Sequence, residues 1–139
     1  MLWMRQPPHI TSATNVSGYL CWGRHSTLGP NCSTSGNPTF YGNSGWFLIE
    51  TIESYNGQRY VAGYGNYSDW FSRNAFGATN FQNTPIGAVS HVDEPGVDNA
   101  NNPFIYFGFW EAGKSFGICA WASCRTPSFL AIGDPFVKK

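Results

Sequence analysis

The segment "GWFLIETIES", residues 45–54, constrains the fold more than any other. Its apolar start, Trp46 to Ile49, is continuous rather than alternating, which suits a strand covered on both faces. Glu50 and Glu53 appear towards its end. "YNGQR" follows as a turn in which Asn56-Gly57 can take positive φ. A strand that is apolar on both sides needs a packing layer on each, and the rest of the chain has to supply two.

Two further stretches read as strands: "SGYLCWG" (17–23), closed by Gly23, and "PIGAVSHV" (85–92). Residues 1–16 read as irregular, and Pro7-Pro8 excludes a helix there. Residues 24–44 are dominated by Ser, Thr, Asn, Gly and Pro, a long loop of the kind that is usually functional or flexible. "NYSDWFSRNAFG" (66–77) reads as a short helix, with Asn66 as N-cap, Asp69 in the first turn and Gly77 at the C-terminus. Tyr67, Trp70, Phe71 and Ala75 form its apolar stripe. "NPFIYFGFWEAGKSFGICAWASC" (102–124) reads as one long helix, apolar nearly all round and therefore largely buried, with Glu111, Lys114 and Ser115 as its polar strip. Its glycines, Gly108, Gly113 and Gly117, are expected to permit close approach to a sheet. "FLAIGDPFV" (129–137) is a last extended piece. Strands alternating with helices predict an α/β fold: a three-layer sandwich with a mostly parallel sheet, in one domain spanning 1–139.

Composition narrows the function classes. Charged residues are 12% and the formal net charge is zero, so no basic field exists to gather nucleic acid or an acidic membrane. No uncharged apolar stretch reaches the roughly 18 residues of a membrane span. The opening "MLWMRQPPHI" lacks the layout of a signal peptide, and the sequence assigns no compartment. Cys21, Cys32, Cys119 and Cys124 include no Cys-x-x-Cys pair, which argues against structural zinc. Free, partly buried thiols are expected, with a Cys21–Cys32 bridge as the alternative. No cofactor is implied.

In a parallel sheet, functional groups gather where strands end and loops begin. Three expected strand ends carry polar chemistry: Arg24-His25-Ser26, Glu53-Ser54-Tyr55-Asn56-Gly57, and His91-Val92-Asp93-Glu94. His25 has the chemistry of a general base, and equally of a loop histidine bonded to backbone. Ser54 would be a nucleophile if a base reached its hydroxyl, and otherwise a turn residue. His91, Asp93 and Glu94 could bind a ligand, yet strand alternation puts His91 and Asp93 on one face and Glu94 on the other. Turn chemistry forced by Pro95-Gly96 is the favoured reading for the acid pair, and no metal site is assigned. Trp22, Trp46, Tyr60, Tyr64 and Tyr67 raise a rival idea, an aromatic platform for sugars.

Taken together, "TPIGAVSHVDEPGV", "WEAGKSFGICAW" and "FLAIGDPFV", which contains Gly133-Asp134-Pro135, resemble the C-terminal half of the caspase/gingipain-like fold. The nearest likeness is to uncharacterised bacterial proteins regarded as candidate peptidases, and it covers roughly residues 17–137. The resemblance implies that "GYLCWGRHS" and "IETIESYNGQ" are the strands whose ends carry the family's catalytic His and Cys. His25 falls at the histidine's strand end, followed by Ser26 where the family has Gly. Ser54, not Cys, stands at the nucleophile's. The implied function is hydrolysis of amide or ester bonds by a Ser54/His25 pair, with backbone amides near Asn56-Gly57 as oxyanion donors. The alternative is a catalytically inactive domain that binds a peptide or glycan. The family's fold has further strands upstream. A chain shortened there would expose a sheet edge, and homodimerisation along that edge is expected.

Overall fold

A computed structural model describes residues 10–21, 38–59 and 67–139. In chain order the elements are β1 (Ser12–Thr14), β2 (Gly18–Cys21), β3 (Thr39–Tyr41), β4 (Leu48–Thr51), α1 (Tyr67–Trp70), β5 (Gly87–His91), α2 (Pro103–Glu111), α3 (Phe116–Ser123) and β6 (Phe129–Gly133). Short 3₁₀ turns lie at Ala75–Gly77 and Val97–Asn99. The main sheet has the order β2-β4-β5-β6, in which β2, β4 and β5 run parallel and β6 antiparallel. A small parallel pair, β1 with β3, lies apart from it.

The three-layer α/β sandwich with a mostly parallel sheet is therefore present, and the parity of β4 shows how it is built. Ile49 joins Tyr19, Phe40, Phe47, Trp70, Phe76 and Ala88 in one core. Leu48 joins Val89, Tyr106, Trp110, Phe116, Cys119 and Ala120 in the other. Adjacent residues of one strand thus feed two cores on opposite sides, which explains its unbroken apolar run. On the first face the layer is aromatic. Phe40 stacks on Phe76 at 4.9 Å and meets Phe47 edge-on at 5.4 Å, and Tyr19 meets Phe40 edge-on at 5.3 Å. Such pairs add about 0.5–1.5 kcal/mol each beyond the area they bury.

Within the segment expected as a helix over 66–77, the described residues are α-helical only at α1. Phe76 takes φ 53° and Gly77 φ 75°, because the Phe76 ring is needed between Phe40 and Phe47, and helix continuation would carry it away. The long helix expected over 102–124 is two antiparallel helices. Asn102 caps α2, its side chain accepting from the amides of Phe104 (3.0 Å) and Ile105 (3.3 Å), with Pro103 at the first position. At the other end Gly113 (φ 72°) closes α2: its amide donates to Trp110, and the Lys114 amide donates to Phe109. That pair of bonds is a Schellman motif, and only glycine enters its left-handed position at low cost. The turn reverses the chain, α3 returns to the sheet's carboxyl edge, and β6 must then run antiparallel.

The hairpin also corrects the expected burial. Trp110 and Tyr106 are sealed against the sheet, whereas Phe104 is 88% and Trp121 79% exposed. A Cβ on Gly108 or Gly113 would meet nothing, so neither glycine serves close approach. Close approach falls at Gly87, where a Cβ would stand 2.5 Å from the Phe116 ring, and at Gly117, against Pro135. The region read as irregular contains β1, and the long loop contains β3. No helix among the described residues is long and apolar enough to cross a membrane. Cys119 and Cys124 are free thiols; Cys32 lies outside the described residues.

The two tryptophans of the hairpin should respond oppositely to truncation. Trp110→Ala is expected to cost about 3–5 kcal/mol in urea unfolding, and Trp121→Ala to stay within about 0.5 kcal/mol. Comparable losses would contradict the placement of the hairpin.

Candidate functional site

The three parallel strands end on one edge. Cys21 is level with Thr51, the Ile52 amide extends that pairing to the Cys21 carbonyl (3.1 Å), and β5 ends beside them at His91. His25, four positions past Cys21 in sequence, lies outside the described residues, as do Trp22, Tyr60 and Tyr64.

After β4 the chain makes a tight turn over the end of β5. Ser54 enters it almost buried, at 6% exposure. Positive φ falls on Tyr55 (63°), not on Asn56-Gly57 as the sequence suggested. The reason lies in what the two following residues do. Asn56 is buried and its side-chain amide donates back to the Thr51 hydroxyl, while its carbonyl accepts from the Tyr67 amide at 3.1 Å. Gly57 lies against β5: a Cβ there would come within 2.8 Å of the Ser90 hydroxyl and 2.9 Å of the His91 carbonyl. Its amide donates to that carbonyl at 2.8 Å, and the Gln58 amide donates to Tyr55 at 2.9 Å. The expected role of amides near Asn56-Gly57 as oxyanion donors is corrected for Gly57, whose N–H is already committed.

His91, Asp93 and Glu94 part company. Asp93 and Glu94 are exposed and cap their own turn: Asp93 Oδ1 accepts from the Glu94 amide at 2.8 Å, and Glu94 Oε1 from the Gly96 amide at 3.4 Å. This is the turn chemistry favoured from sequence. His91 is fully buried. It shares the helix-side face with Val89, two positions earlier, and sits opposite Phe129 of β6. The face-sharing expected for His91 and Asp93 fails because the strand ends at His91. Among the described residues no group of three or more His, Cys, Asp or Glu side chains gathers to hold a metal ion. The sugar platform also disperses: Trp46 precedes β4 with its indole N–H donating to the Lys138 carbonyl at 3.3 Å, and Tyr67 adjoins Asn56 beyond the other end.

A residue that sequence reading passed over stands beside this edge. Glu50 is level with Val89 on the helix-side face, fully buried, with neither carboxylate oxygen hydrogen-bonded. Burial pushes its pKa up to about 8, so it is neutral at pH 7. Tyr106 of α2 lies over it, its hydroxyl 3.5 Å from the Ile49 carbonyl. Its pKa is raised by burial, then by the charges of Glu50 and Cys119. His91 is shifted down by burial, against opposing pulls from the Glu53 carbonyl and Glu94. Neither ring nitrogen makes a hydrogen bond of ordinary geometry. Asn101, just ahead of the α2 cap, is buried with both amide atoms unpaired. The signal for Glu50 was its position two residues after Leu48, which puts it on a face already closed by helices.

The chemistry held here is a neutral carboxylic acid, a neutral imidazole and a nearly buried serine hydroxyl at a strand exit. Neutralisation is the expected response of ionisable groups taken from water without partners. Comparison with protein-family models, curated proteins and solved structures finds no match.

These shifts make stability depend on pH with opposite signs. Glu50 binds its proton more tightly folded than unfolded. Its contribution is full below the ordinary value of 4.5 and is lost as pH rises through about 8. His91 acts the other way: its contribution is present above 6.5 and is lost as pH falls below it. Glu50→Gln should therefore raise the thermal midpoint most at about pH 8.5 and flatten the decline leading up to it, an effect on the order of a few kcal/mol. Parallel pH curves for variant and wild type would refute the assignment.

Proposed function

We propose that this chain is a caspase/gingipain-like domain that hydrolyses amide or ester bonds, with Ser54 as nucleophile and His25 as base. What carries the reading is the pairing of β2 with β4. Ser54 lies three positions past Thr51 and His25 four past Cys21, and those two strand ends are level with one another. The backbone at Tyr55 adds support, since left-handed φ in a bulky residue costs energy and clusters at functional turns.

In this mechanism the Ser54 hydroxyl attacks the carbonyl carbon while His25 accepts its proton. The proton passes to the leaving amine or alcohol as the scissile bond breaks, and water then hydrolyses the acyl-serine by the reverse use of the same base. Because the Gly57 amide is engaged with His91, the developing oxyanion has to be met by other donors.

That same engagement, with the near-burial of Ser54, favours the second reading: an inactive domain that binds a peptide or glycan. Self-association along the outer edge of β2 belongs with either reading, since β2 is an edge strand among the described residues and an unpaired edge invites pairing. A fluorophosphonate probe separates the two. Under the hydrolase reading the wild-type chain is labelled at Ser54, and Ser54→Ala and His25→Ala both lose labelling. Equal residual labelling in both variants, or none in the wild type, would leave the binding reading standing.

A further inference from the structure

The α2–α3 hairpin turns an apolar face away from the sheet. On α2, Tyr106 and Trp110 point inward, so Phe104, Gly108 and Ala112, spaced four apart, fall on the outward side and are exposed. On α3, Cys119 and Ala120 point inward, and Ile118, Trp121 and Ala122 face out. The helices pack side by side and antiparallel, with the Asn102 amide donating to the Ser123 carbonyl at 2.9 Å, which brings Phe104 close to the level of Trp121. Two properties of this face have no explanation within one chain. Gly108 stands inside α2, where glycine is the costliest residue after proline, yet a Cβ there would meet nothing within 4 Å. No contact inside the molecule requires it. Phe104, Phe109, Ile118 and Trp121 also leave on the order of 500 Å² of side chain in water, taking about 200 Å² for a fully exposed ring. A contiguous patch of that size marks an interaction surface rather than scattered apolar residues.

We propose that this face binds the same face of a second copy of the chain, with Phe104 and Trp121 as anchors and Gly108 as the point of closest helix approach. The proposal goes beyond the hydrolase and binding readings and depends on neither. A two-fold contact needs one surface that carries both projections and recesses. Large rings beside Gly108, Ala112 and Ala122 supply both. A stable interface buries about 800 Å² per partner, and the four large side chains provide the greater part of it, which fits a weak dimer. Charge points the same way. Neither helix carries Lys or Arg, and Glu111, the one charged residue on them, is paired with Lys139. The face therefore offers nothing to a charged partner, and it lacks the basic residues by which interfacial helices hold anionic lipid. Pairing would also complete the burial that a helix apolar nearly all round demands.

Sedimentation velocity on the full chain, from about 1 to 300 µM, tests this. The wild type should pass from monomer to dimer with a Kd on the order of 10–100 µM, as a patch of this size allows. Trp121→Ser and Gly108→Gln should each raise that Kd about 10-fold or more. In dilute solution, where the chain is monomeric, Trp121→Ser should melt as wild type and Gly108→Gln about 2–4 °C higher, since the helix gains a better former. A variant that steadies the monomer while weakening the dimer separates contact from folding. Leu20→Lys, on the edge strand β2, should leave the Kd within about twofold. A monomer at every concentration would overturn the proposal. So would a dimer that Leu20→Lys abolishes and the two helix variants leave intact, which would put the contact on the β2 edge. A monomer that instead binds phosphatidylcholine vesicles, and loses them in Trp121→Ser, would overturn it in favour of a lipid surface.

Discussion

Same-direction pairing of β2, β4 and β5, with apolar layers on both faces, is the constraint from which the rest of this structure follows. It forces β4 to be apolar on consecutive residues, Leu48 towards the helices and Ile49 towards the aromatic layer. It delivers Cys21, Thr51 and His91 to one edge, so that whatever follows each strand meets there. It also requires the connections to cross over, which the α1 region provides between β4 and β5. Among the described strands only β6 escapes the rule, because the α2–α3 hairpin has already brought the chain back to the carboxyl edge.

At that edge the fold accepts a polar cost. Glu50, His91 and Asn101 are buried with polar atoms that no protein group satisfies. At about 1–3 kcal/mol per atom the sum rivals the few kcal/mol by which domains of this size are stable. Neutralising Glu50 and His91 limits the penalty, since the charged forms would cost far more. Local strain at Tyr55 and the packed contacts of Gly57 fall on the same edge. Departures also occur within the cores, at Phe76 (φ 53°) and at the unpaired indole N–H groups of Trp70 and Trp110. It is at this edge, however, that buried ionisable side chains and backbone strain coincide, as expected where function and stability compete.

Much of this was legible in the residues, and the gaps have physical causes. The strands at Leu48–Thr51 and Gly87–His91 were visible because a run covered on both faces needs no alternation to be recognised. Turn chemistry at Asp93-Glu94 was visible because Pro95-Gly96 follows it. The strands Ser12–Thr14 and Thr39–Tyr41 were not: three residues carry no period, and both sit among Ser, Thr and Asn. The break at Gly113 was masked by apolar residues on all sides, which conceal both a helix end and the difference between a buried Trp110 and an exposed Trp121. Glu50 and the His91 ring were overlooked as a pair because their place on one sheet face depends on strand register, which no local pattern encodes.

The central claim is most directly tested by through-space NMR contacts between the first and second strands of the sheet. A parallel register predicts contacts that run in step from Gly18 with Leu48 to Cys21 with Thr51, together with a slowly exchanging Ile52 amide. Contacts in the reverse order, with Gly18 near Thr51 and Cys21 near Leu48, would contradict it. They would place the exits of the two strands at opposite ends of the sheet and dissolve the shared edge on which the Ser54/His25 reading rests.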